Sequence, residues 1–201
     1  MPPEPRFVPR FAAEPPQEVA PYGRWADRLS SVLRAAFDEP FGEIAWFPDR
    51  TWHGRTYVPA TAPTDDGREV FGVVSFRPAH DGGEPDGLRA VVDVTEETAA
   101  QNPEWKLDLC DEVVGGWRGE QGNVAAMTLV WGVPLVPGGV IVTAELADLA
   151  VDQCPLTEDG RFTLLAPDDY RGDTLDVKLF NERGEELARE SLYEDDDAED
   201  E

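Results

Sequence analysis

Lysine is nearly missing from this chain: Lys106 and Lys178 stand beside fifteen arginines and 42 acidic residues, giving a formal net charge of −25 over 201 residues. A surface so poor in cations repels nucleic-acid phosphates and anionic lipid, which argues against a polyanion-binding role. Histidine is as scarce, with His53 and His80 alone, so the side chain best matched to proton transfer near neutral pH is in short supply. Cys110 and Cys154 lie far apart and form no CxxC pair, so neither a thiolate metal cluster nor a dithiol redox motif is suggested, and a single bridge between them is the disulfide option. No run approaches the roughly 18 apolar residues that span a bilayer. The opening Met1-Pro2-Pro3-Glu4-Pro5-Arg6 has neither a basic nor an apolar signal region, so the expectation is a cytoplasmic protein with no membrane partner. GxGxxG and GxxxxGK[ST] are both missing, so nucleotide phosphates have no backbone cradle and no cofactor is expected.

Enough remains to fold. Apolar residues make up 41% of the chain and six are tryptophan, and a polypeptide of this length buries a sizeable core without a metal or a disulfide. Seven of the negative charges fall in 194–201, leaving −18 on the rest, so the acidity belongs to the body as well as the tail. Genome composition or adaptation to high salt produces such a skew without a partner. A basic protein partner and mimicry of a polyanion are the functional readings.

Residues 1–22 hold seven prolines and no sustained period, the mark of an extended arm, in which Phe7, Val8 and Phe11 are the residues able to anchor it. A helix is expected over Arg24–Asp38, because Trp25, Leu29, Val32, Leu33, Ala36 and Phe37 fall on one face and Pro40 and Gly42 end it. Short strands follow at Glu43–Phe47, Trp52–Val58, Glu69–Arg77 and Leu88–Thr95, with Ala60–Gly67 as a turn-rich break. Gly72, inside an apolar strand, marks close packing or a bulge. Thr95 is placed to cap a short helix over Glu96–Gln101. Trp105–Val114 reads as a strand from the alternation of Trp105, Leu107 and Leu109, although Leu109, Val113 and Val114 also fit a helix, and the glycines at 115, 116, 119 and 122 enclose Trp117 in a loop. Further strands are expected at Asn123–Trp131, Gly138–Leu146, Arg161–Leu165, Thr174–Phe180 and Glu185–Leu192, the last two joined by the turn Asn181-Glu182-Arg183-Gly184.

The fold class is therefore mainly β or α+β: antiparallel, sandwich-like sheets with one N-terminal helix and a Pro-rich arm. Expected units are the arm 1–22, an α+β domain 23–131, a connection 132–138, a small β-sandwich-like unit 139–193 and a disordered acidic tail 194–201, with a single continuous sandwich as the alternative. The stretch from Val142 to Val177, with Asp159-Gly160-Arg161-Phe162 before an alternating strand, resembles the transthyretin-like or carboxypeptidase-regulatory-like β-sandwich modules. That resemblance implies a strand, a turn and further strands, and it carries over no binding residue.

Candidate chemistry is sparse. Cys110 with His53 and a nearby carboxylate is a nucleophile and base combination, although no GxSxG or recognisable elbow accompanies it. Asp168, Asp169, Asp173 and Asp176 supply the oxygen ligands that calcium prefers, without an EF-hand loop. Asp108, Asp111 and Glu112 form a second acidic group. Trp117, in its expected loop, is the tryptophan least committed to a core and a contact for a protein partner, together with Phe7 and Phe11. The leading functional expectation is an acidic accessory or adaptor protein acting through protein–protein contacts. The alternatives are a small hydrolase or metal-assisted enzyme using Cys110 and His53, and a structural subunit of a larger assembly.

Overall fold

A computed structural model describes residues 25–79, 83–118, 124–168 and 173–192. The arm 1–22 with Phe7 and Phe11, His80, Asp169 and the tail 194–201 lie outside the described residues. The rest is mostly β-strand, with one N-terminal helix and three antiparallel sheets.

The helix is α1 (Ala26–Ala35), shorter than its apolar period at both ends. Leu29 and Leu33, one turn apart on the same face, are fully buried. Pro40 prevents the helix from continuing, and Arg34 ties down the departing chain by donating to the carbonyls of Phe41 and Gly42, at 2.8 Å each, with its guanidinium 4.6 Å above the Phe41 ring.

The first sheet contains β1 (Ala45–Trp46), β2 (Arg50–Trp52), β3 (Arg55–Pro63), β4 (Glu69–Arg77) and β5 (Asp86–Thr95), with β1 and β2 both paired to β3 and the order continuing to β4 and β5. Ala60–Pro63, expected as turn, extends β3, because the turn begins only at Thr64, whose amide bonds to the Arg68 carbonyl. The proposed helix after Thr95 does not form. Thr95 Oγ1 accepts the Glu97 amide at 3.0 Å as a cap would, but Pro103 follows too soon for a stable nucleus, and the chain makes only a turn around the Thr98 carbonyl.

The second sheet orders β10 (Phe162–Asp168), β7 (Val124–Pro134) and β6 (Leu107–Arg118). Trp117 is in β6, opposite Ala125, and not in a loop: paired strands carry Gly115 and Gly116, with a bulge between Val113 and Gly115. The third sheet orders β12 (Glu186–Ser191), β11 (Leu175–Phe180), β8 (Ile141–Leu146) and β9 (Leu149–Pro155). The stretch from Val142 to Val177 runs from β8 to β11, with β10 paired in the second sheet and β8, β9 and β11 in the third. The position 131/132, chosen as the end of the α+β domain, falls inside β7, and β10 from the rear segment pairs with β7 along Phe162–Asp168.

Strand alternation explains how the layers share cores. Val58, Ala60, Val70, Val74 and Phe76 of the first sheet cover Leu29 and Leu33 of α1. Tyr57 and Val73, on the opposite face, join Met127, Leu129, Trp131 and Leu165 of the second sheet. Val130, Phe162 and Leu164 project the other way, into a cluster with Val142, Leu146, Val177 and Leu179 of the third. The second sheet is therefore buried on both sides, and its central tryptophan, Trp131, is fully enclosed. Glycine lets strands approach at Gly72 and Gly132, where an added Cβ would run into the Val91 and Asp108 carbonyls.

Candidate functional site

The chemistry gathers where the first sheet overhangs β6. Asp108, Cys110, Glu112 and Val114 alternate along one face of that strand, toward β4 and β5, while Leu107 and Leu109 turn into the opposite core. A cleft of about 230 Å³ at the start of β6 is lined by Glu69, Asp108, Cys110, Val133, Asp159 and Arg161, among others. Further along, a crevice of about 50 Å³ is lined by Tyr57, Val73, Arg89, Val91, Glu112 and Val113, among others. Asp93 lies close enough to Glu112 to disfavour its ionisation. The result is an acidic seam between two sheets.

Four carboxyls in and around the seam, Glu69, Asp108, Asp111 and Glu112, are held back from ionising. Burial, and then the charge of Asp108, pushes Glu69 up to about 7. Burial raises Asp108 as well. Glu112 is raised by burial and then by Asp111 and Asp93, while Asp111 is raised by burial and then by Asp168. Carboxylates crowded into a partly dry interface lose hydration and repel one another, so each binds its proton more tightly. The cation at the cleft mouth is already engaged: Arg161 donates to the Trp46 carbonyl at 3.0 Å, stands 3.9 Å from Asp159 and lies 5.7 Å from the Phe47 ring centre. Glu69 is thus able to hold or release a proton near neutral pH, and the seam as a whole is able to attract a cation.

The Cys110 and His53 pair is not assembled. Cys110 lies in the seam, where burial and then Glu69, Asp108 and Asp111 push its thiol strongly upward, the opposite of nucleophile activation. His53 is exposed in the turn after β2 and stacks on Trp52, with ring centres 4.4 Å apart. The Trp52 indole in turn sits against Gly115, which on an extended strand is roughly 16 Å beyond Cys110. Both cysteines are free, which removes the single-bridge option.

In the Asp168 group, the described carboxyls serve contacts within the protein. Asp168 is buried and its carboxylate accepts the Leu175 amide at 3.2 Å, fastening the connection into β11. Asp176 faces Arg189 at 3.6 Å. Among the described residues, no set of three or more histidine, cysteine, aspartate or glutamate side chains is arranged to hold a metal ion. The acidic trio of β6 divides by alternation: Asp108 and Glu112 enter the seam, and Asp111 faces the side of Asp168. Trp117 is half-buried and touches both cores that flank the second sheet. Glu69 and Asp93 were not singled out by the sequence, because they belong to strands that meet β6 only through sheet packing.

Comparisons with protein-family models, with curated proteins and with solved structures find no match. Among the described residues, no helix is long and apolar enough to cross a membrane.

Proposed function

We propose that this protein is an acidic accessory or adaptor module that acts by contact with a basic protein partner, its sheets stacked as an antiparallel sandwich that presents one charged edge. The observation that carries this reading is the seam of Glu69, Asp93, Asp108 and Glu112 beside β6, in which Glu69, Asp108 and Glu112 are more reluctant to ionise than isolated carboxyls. Placing like charges together is unfavourable for the free protein, and a cationic surface relieves it. The same charges steer association, so the contact is sensitive to salt.

Affinity capture with the intact chain from native lysate, run in parallel at low and moderate salt, tests the proposal. The expected result is one partner rich in arginine or lysine, recovered at constant stoichiometry and released as salt rises. Recovery of no stoichiometric partner at either salt refutes it.

A further inference from the structure

Among the described residues, β6 hydrogen-bonds as a strand to β7 alone, and β4, β5 and β12 approach it without pairing with it. An open strand edge offers a row of backbone donors and acceptors to any extended chain. Two large apolar side chains flank this edge in the open, Val113 at 54% and Val91 at 49% exposure, with Glu112 lining the same crevice between β5 and β6. Asp111 stands exposed on the other face of β6, and Asp93 and Asp108 lie on the seam side. The edge therefore carries Asp108 and Glu112 on its seam face, and Asp111 beside Val113 on the other.

We infer that the outer edge of β6, from Asp108 to Val113, docks an extended segment of a partner protein in which arginine or lysine alternates with apolar residues, added as a fourth strand to the three-stranded sheet. This deepens the adaptor reading and rests on it. Charge selects the occupant. A second copy of this chain would set Asp108, Asp111 and Glu112 against their own like in the pairing, which destabilises a ladder. A basic strand instead sets its cations on the seam face, opposite Asp108 and Glu112, and its apolar residues on the other face, where they cover Val113. The strip ends at the bulge after Val113, where Tyr57 Oη donates to the Val114 carbonyl at 3.3 Å and occupies that acceptor. Arg89, at the same end, donates to Ser75 Oγ at 3.3 Å, so one cation of the crevice is held within the protein.

The test uses the intact chain and a fluorescent peptide of alternating arginine and valine, followed by anisotropy. The controls are a glutamate and valine peptide of equal length and an arginine and glycine peptide of equal charge. The arginine and valine peptide should bind, the glutamate peptide should not, and the arginine and glycine peptide should bind more weakly because it lacks apolar contact and strand propensity. Glu112→Lys should weaken binding on the order of tenfold, and Asp111→Lys provides a second, exposed position should the first variant fail to fold by circular dichroism. Glu182→Lys, in the exposed turn before β12, changes net charge equally and should leave affinity unaltered.

Equal weakening by all three substitutions, or equal binding of both arginine peptides, overturns the proposal in favour of diffuse electrostatics. Binding seen only in a Phe7→Ser/Phe11→Ser variant overturns it in favour of this chain's own N-terminal segment, whose Arg6-Phe7-Val8-Pro9-Arg10-Phe11 is also basic and apolar. Self-association of the intact chain that Glu112→Lys abolishes overturns it in favour of a second copy. A partner captured from lysate equally well by wild type and Glu112→Lys, with no peptide bound, rejects the β6 strip and leaves the adaptor reading standing.

Discussion

Arg50 and Asp152 meet at 2.7 Å across the join between β2 and β9, with the arginine side chain 2% exposed and the aspartate 12%. Arg50 Nε also donates to the Thr163 carbonyl at 3.1 Å, and Asp152 Oδ2 accepts the Leu165 amide at 2.8 Å, so a single pair ties all three sheets together. Burial raises the Asp152 carboxyl despite the guanidinium beside it: desolvation outweighs the attraction.

Removing one partner strands the other. Arg50→Met should cost about 3–5 kcal/mol in urea unfolding, because Asp152 is left buried without its countercharge. Asp152→Asn in the same background should recover part of that loss. A single Arg50→Met variant as stable as wild type would show that the pair does not join the sheets.

Stability should fall as pH rises toward neutrality, and Glu69 accounts for part of the slope. Its folded value lies at about 7 against an ordinary 4.5, so between those limits the folded chain keeps a proton that the unfolded chain has released. The stabilisation is complete below 4.5 and is lost as pH rises through about 7. The full shift corresponds to about 3 kcal/mol, reduced to roughly 1–2 kcal/mol by solvent screening of a partly exposed carboxyl. Thermal midpoints of wild type and Glu69→Gln between about pH 5 and 8 should converge at the acid end and separate in favour of the variant at the neutral end. Parallel curves would contradict this.

Gly132→Ala should destabilise by about 1–3 kcal/mol, since the new methyl runs into the Asp108 carbonyl on the neighbouring strand. Gly116→Ala, where nothing lies within 4 Å, should be neutral or gain up to about 1 kcal/mol from reduced backbone freedom in the unfolded chain. Denaturant midpoints of the two variants decide the matter; equal effects would mean that the close approach at Gly132 is not a constraint.

Neither thiol should react quickly in the native state. Burial raises both Cys110 and Cys154, and Cys154 also donates to the Pro155 carbonyl at 3.2 Å. Maleimide should label both only after unfolding in urea. Stoichiometric native labelling of Cys110 within minutes would show that the seam opens.

Much of the strand content was readable from residues alone, and β4 at Glu69–Arg77 coincides with its apolar stretch. Two strands were missed: β2, since a turn at His53-Gly54 divides the expected strand Trp52–Val58, and β9, which is instructive. Its hairpin turns at Ala147 and Asp148, with φ of 50° and 61°, a left-handed pair normally announced by Asn-Gly or Asp-Gly. Without those residues the turn left no mark, and Leu149–Pro155 did not read as a partner for β8. Trp117 misled for the converse reason: Gly115 and Gly116 resemble loop residues, yet in β6 they accommodate a bulge and the Trp52 indole.

Composition by itself determined that this chain is strongly negative in body and tail, starved of the histidine and thiolate chemistry that marks many enzymes, and built of strands, because charge and two-residue periodicity are local properties. Only the tertiary structure decided which carboxyls confront one another. Glu69 and Asp108, or Asp93 and Glu112, are brought near by the packing of β4 and β5 over β6, and no spacing along a chain encodes the face-to-face meeting of two sheets.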